Sequence, residues 1–261
     1  MVVRVLGPLP CELINAAARG EIKRVVKWLR QGDINAQCME LAGNALLHSA
    51  SVHEQIEMMR ELLKRGATVN LQNHEGSTAL MAASEQARFG DAAVRLLLEH
   101  KADPNLQTNI QRVTALMSAA RCGHAGVVAL LLRSGAEPDL HNPEHGTALH
   151  QAAGAGHMNC VQLLLDAGAN TELVNRKGRT AHCVAVRRGK ADVAKLLASK
   201  GKDDASSGED SPTSVLAEGA EQVVRGARQR HVPATQQSQK PRAVHDRSQA
   251  RKLLVKDLAE R

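Results

Sequence analysis

Aromatic side chains are almost absent from this sequence of 261 residues: it has one Trp, one Phe and no Tyr. Rings normally supply much of the volume of a large globular core. Apolar residues still make up 43% of the chain, so a core is expected, and Ala, Leu and Val must build it. Such side chains suit thin layers of closely packed helices. The cysteines, at 11, 38, 122, 160 and 183, are odd in number and scattered without a CxxC. Neither a disulfide framework nor a zinc ribbon is indicated. No apolar run approaches the roughly 20 residues that span a bilayer. The opening stretch MVVRVLGPLPCELINAAARG is interrupted by Arg4, Pro8 and Pro10, unlike the continuous hydrophobic segment of a signal peptide. A reducing compartment, cytoplasmic or nuclear, is the expectation. The net charge of +7 is modest for this length and does not by itself imply a nucleic-acid partner.

What the chain does have is a repeat. The segment TALHQAAGAGHMNCVQLLLDAGAN (147–170) aligns with TALMSAARCGHAGVVALLLRSGAEPD (114–139) through T-A-L, A-A, G-H, V, L-L-L and G-A. Leu116 to Leu149, Leu149 to His182 and Leu47 to Leu80 are each offset by 33 residues, and Leu80 to Leu116 by 36. The longer step reflects about two extra residues around SEQARFGD and one in TNIQRV, read against the neighbouring copies. A divergent first copy, ELINAAARGEIKRVVKWLRQGDIN, precedes these. Helical amphipathicity alone cannot generate so long a period, so the pattern indicates a solenoid.

The recurring residues resemble the ankyrin repeat, whose pattern is G-x-T-P-L-H-x-A-A, then G-H, V-V-x-L-L-L and G-A every 33 residues. One departure is systematic: the Pro after Thr is Ala79, Ala115, Ala148 or Ala181. Proline at the first helical position only preorganises the turn, so Ala leaves the fold unchanged. The resemblance implies an all-α solenoid of stacked helix-turn-helix units with extended finger loops. Six copies are expected, at about 8–38, 39–72, 73–107, 108–141, 142–174 and 175–201, after an N-terminal extension at 1–7.

The residues agree with that reading. Thr114, Thr147 and Thr180 are placed to cap helix amides. The Ala119-Ala120 and Ala152-Ala153 pairs permit close helix approach. Gly123, Gly156 and Gly189 end the first helix of each unit. VVALLL and CVQLLL then give a second helix with a broad apolar face. Trp28 and the basic EIKRVVKWLR helix at one end, and KLLASK at the other, read as caps that close the stack against water.

Chemical readings are weaker. His141, His145, His150, His157 and Cys160 form the best metal candidate, since zinc accepts both ligand types. Yet His150 matches His48 in repeat position, His157 matches His124, and Cys160 falls on a packing face. No nucleophile elbow, H-E-x-x-H or phosphate-binding loop occurs. No cofactor, metal or small-molecule substrate is expected, and the chain reads as a non-enzyme. Arg187, Arg188, Lys190, Lys195, Lys200 and Lys202 gather at the last copy without interleaved aromatics, as a solvated face would.

The resemblance places recognition on the fingers and first helices. The candidate partner-binding residues are Met39, Leu41, Ile110, Arg112, His141 and His145 on fingers, with His53, Arg121, Arg187 and Arg188 on first helices. Arg88 and Phe89 join them from the lengthened loop, where an aromatic beside an Arg suits an interface hot spot. Phe89 equally suits folding back to fill the gap. Exposed apolar fingertips favour a protein ligand, and the chain is expected to be a monomer. Residues 202–261 read as a flexible basic tail, largely disordered, with short helices at 214–228 and 247–260. Two functions follow: an adaptor or scaffold that binds a protein through its concave face, or a regulator whose tail contacts nucleic acid or anionic membrane.

Overall fold

The computed structural model describes residues 9–87 and 91–205, with side chains described through Lys200. Among them are twelve α-helices and no strand beyond two isolated bridges, Cys38 with Asn44 and Asn142 with Gly146. The helices fall into six consecutive pairs: α1 (Cys11–Ala18) with α2 (Ile22–Leu29), α3 (Leu46–Val52) with α4 (Ile56–Lys64), α5 (Ala79–Gln86) with α6 (Ala92–Glu99), α7 (Ala115–Cys122) with α8 (Ala125–Arg133), α9 (Ala148–Ala155) with α10 (Met158–Asp166), and α11 (Ala181–Arg187) with α12 (Ala191–Ala205).

First helices pack on first helices, from α1 through α11, in one column. Ala16, Ala119, Ala120, Ala152 and Ala153 are fully buried there, because only a methyl group fits between helices this close. The second helices α4, α6, α8, α10 and α12 form the other column. Leu62, Leu97, Leu131 and Leu164 lie buried at their shared face, each contributing about 1.5–3 kcal/mol relative to an exposed side chain. No single pair buries both of its faces, so stability resides in stacking.

Four of the first helices, α5, α7, α9 and α11, begin at a Thr-Ala step, whereas α1 follows Pro10 and α3 follows Ala45. Thr78 accepts from the Met81 N–H at 3.3 Å, Thr114 from Met117 at 3.2 Å and Thr180 from Cys183 at 3.4 Å. At Thr147 the histidine at the third helical position enters the cap. The Thr147 N–H donates to His150 Nδ1 at 3.2 Å, and the Thr147 hydroxyl lies 3.0 Å from the same nitrogen.

The fingers are joined by a polar ladder. Asn35 Oδ1 accepts the Thr68 N–H, Asn70 that of Asp103, Asn105 that of Glu137, and Asp139 that of Asn170, all at 2.8–2.9 Å. Asn73 closes its fingertip on the Ser77 N–H and Asn175 on that of Arg179, each four residues on. Thr108 must reach five residues on, to Val113. The additional residue falls among 109–111, while Arg112, at φ 52°, takes the left-handed place that Gly76 and Gly178 hold in the shorter fingers, and Ile110 at this tip is 89% exposed. The other two extra residues separate α5 from α6: buried Leu80 and Val94 are 14 apart, whereas Leu116 and Val128 are 12 apart.

Two expectations need correction. Among the described residues, neither end is closed by polar surface alone. Pro10, Leu13 and Trp28 line a cleft of about 520 Å³ at one end, and Val186, Ala191, Ala194 and Ala198 line one of about 380 Å³ at the other. Among the described residues, the end units offer these apolar faces to no further unit, with Lys27 and Arg30 beside one cleft and Lys195 beside the other. The last helix also runs to Ala205, past Gly201 where the repeat pattern stops, because Lys202, Asp203, Asp204 and Ala205 include neither Gly nor Pro.

Candidate partner-binding groove

Because side chains at the third, fourth, seventh and eighth positions of a helix share one face, stacked first helices present a continuous stripe. This stripe and the finger bases enclose a groove of about 590 Å³. Met81 and Met117 form its apolar floor, and the amides Gln86, Gln111 and Gln151 line it above. Glu75 and Glu85 supply negative charge, and Arg121 and Arg188 positive charge farther along the stack. Arg121 Nη2 reaches Glu85 Oε1 at 2.8 Å, bridging α7 and α5, with both side chains about half exposed. An exposed pair of this kind contributes about 0–1 kcal/mol, so a bound ligand can displace it at little cost.

The sequence candidates divide into groups. Arg121, His145 and Arg188 line the groove together. Met39, Leu41 and Ile110 are exposed at fingertips outside it, with Met39 at 65% exposure on a short 3₁₀ turn. Arg112 turns back to Gln107 Oε1 at 2.9 Å. His141 Nε2 donates to the Val174 carbonyl at 3.1 Å, joining successive fingers. His53 Nδ1 donates to the Ser49 carbonyl at the end of α3. Arg187 is exposed at the end of α11. Arg88 and Phe89 lie outside the described residues, as do the tail helices at 214–228 and 247–260.

The remaining histidines have structural partners. His48 and His150 accept an N–H at Nδ1, from Ala45 and Thr147, and donate from Nε2 to Ser77 O and Arg179 O, each at 3.0 Å. Burial holds both imidazoles below the ordinary histidine range, and at His150 the nearby His141 adds to the effect. His124 and His157 donate to Glu85 O and Arg121 O of the preceding unit at 3.2 and 3.1 Å. Cys160 is fully buried, which pushes its thiol up to about 11. Among the described residues, no group of three His, Cys, Asp or Glu side chains converges as a metal would require.

Sequence reasoning missed Asn44, Asn73, Met81, Gln111, Met117 and Gln151 as groove residues. The helical stripe was the signal for Met81, Met117 and Gln151. The finger-base positions carried none, because their direction depends on how successive fingers stack.

A family model for ankyrin repeats, in three copies, matches residues 13–108, 71–142 and 116–206, which together run unbroken from 13 to 206.

Proposed function

The chain belongs to the ankyrin-repeat family, and from that premise we propose that it is an adaptor or scaffold that holds a protein partner in the groove over α3 to α11. Ankyrin repeats are generally non-enzymatic protein–protein interaction modules. The proposal extends this to a groove-bound polypeptide segment, a monomeric chain and a cytoplasmic or nuclear setting.

One observation carries the reading. The groove combines an apolar methionine floor, unbranched and adaptable, with amides and both signs of charge along its length. An extended polypeptide offers backbone donors and acceptors to the amides, and apolar and charged side chains to the rest. A small rigid molecule would use only part of it.

The test is affinity capture with the intact chain and with an Arg121→Ala, Gln151→Ala double variant. Prey held by the intact chain and lost with the variant supports the groove. Capture that ignores the variant, yet disappears in steep dependence on salt when residues 206–261 are removed, supports contact through the basic tail instead.

A further inference from the structure

The cleft at the first-unit end stands apart from the groove and is not a use of it. Pro10 and Leu13, at the start of α1, face Trp28, Lys27, Arg30 and Gln31 across about 520 Å³. Trp28 is the only Trp in the chain and is half-buried rather than sealed into the core. Its ring lies against the backbone at Gly32, where a Cβ would collide with the six-membered ring. The indole is therefore held in place before any ligand arrives, which lowers the ordering cost of binding.

The rim is cationic, and its charge is unevenly spent. Arg24 is already engaged, with Glu12 at 2.9 Å and Glu21 at 3.5 Å. Lys27 and Arg30, both exposed, form no ion pair among the described residues. Two cations that are unpaired among the described residues thus flank an apolar hollow that contains an indole. That combination matches a carboxylate-bearing chain with an apolar side chain to insert. A nucleic acid would need more cations along a backbone path and more than one stacking ring. A membrane surface would favour a protruding Trp over one inside a concavity.

We propose that this cleft is a second docking site, for an acidic peptide segment that inserts one apolar side chain beside Trp28 while its carboxylates pair with Lys27 and Arg30. The site is separate from the groove, so the chain would hold two polypeptides at once.

The experiment uses the full chain and its own reporter. With a single Trp and no Tyr, indole emission reports this cleft alone. The probe is an end-blocked pentapeptide with two acidic residues on each side of one leucine. A saturable change in Trp28 emission is expected, weakening as salt rises. Replacing the leucine by serine, or the acids by lysines, weakens binding at least tenfold. A Lys27→Glu, Arg30→Glu chain with unchanged circular dichroism also binds at least tenfold more weakly, while Arg121→Ala in the groove has no effect. The proposal is overturned if the leucine peptide gives no saturable change, if the serine peptide binds equally, or if charge reversal has no effect. Preference for single-stranded DNA or for phosphatidylserine vesicles over the peptide overturns it as well.

Discussion

The His150 imidazole donates through Nε2 to the carbonyl oxygen of Arg179, 3.0 Å away and one finger further along the stack. The same ring accepts the Thr147 N–H at Nδ1, so it must be neutral to make both bonds. His48 stands in the same relation to Ser77 and Ala45. Each ring therefore fastens the start of its own helix to the base of the next finger.

A pH dependence follows. Both folded-state values lie below the ordinary histidine value because of burial. The unfolded chain therefore takes up protons first as pH falls. Stability from these rings is complete above the unfolded value of roughly 6.5 and is lost as pH drops below it toward the depressed folded values. The urea midpoint is expected to fall between pH 7.5 and 5.5. A His48→Met, His150→Met chain, using the residue that Met81 and Met117 already place there, should show a smaller fall. Equal pH dependence in the two proteins would contradict the assignment.

Lys101 and Glu54 occupy left-handed backbone, at φ 65° and 51°. The units that place Gly66, Gly135 and Gly168 at the first of these positions accommodate it without a Cβ. Glu54 also leaves Oε1 buried without a hydrogen-bond partner. Lys101→Gly and Glu54→Gly should each stabilise the chain by about 0.5–1 kcal/mol, relief of strain outweighing the added freedom of the unfolded chain. A rise in urea midpoint checks each. A fall would mean that the side chains do more than the backbone costs.

Much of this architecture could be read directly from the sequence, and for a physical reason. Leu116, Leu149 and the alanine pairs recur because every interface between units is the same interface, so one solution is written several times. Fingertip and groove positions escape that constraint. The place of Arg121 in the repeat locates it on the open face of α7, yet its pairing with Glu85 depends on two side chains from different units meeting. His141 looked free on a finger and is used to join two fingers. The end clefts were not legible either, because a polar helix face says little about what remains uncovered beneath its rim.

Thiol reactivity separates the cysteines by environment. Cys11 is pushed up to about 12, chiefly by the Cys38 thiol 2.9 Å away and then by the Glu40 carboxylate at 3.0 Å. Cys160 is pushed up by burial alone. Since the thiolate is the nucleophile, iodoacetamide at pH 8 should label exposed Cys183 first, and Cys11 and Cys160 only slowly until urea unfolds the chain. Peptide mass analysis over time reads the order. Cys38→Ala should accelerate Cys11 more than Glu40→Gln does. The reverse ranking would place the main influence on the carboxylate.

Gly123 and His157 test whether packing or backbone conformation dominates a unit boundary. Gly123 ends α7 at φ 80°, and a Cβ there would lie 2.6 Å from His157 Nδ1. The ring cannot simply swing aside, because its Nε2 donates to Arg121 O at 3.1 Å. Gly123→Ala therefore carries two costs: about 1 kcal/mol for the left-handed conformation, and the strain or lost hydrogen bond of a displaced ring, about another 1 kcal/mol. His157→Ala alone should cost about 1 kcal/mol through the lost bond. With the ring gone, adding Gly123→Ala incurs only the conformational cost, so the double variant should be less destabilised than the two single changes added together, by about 1 kcal/mol. Strict additivity in urea denaturation would instead assign the whole glycine requirement to φ and none to the imidazole above it.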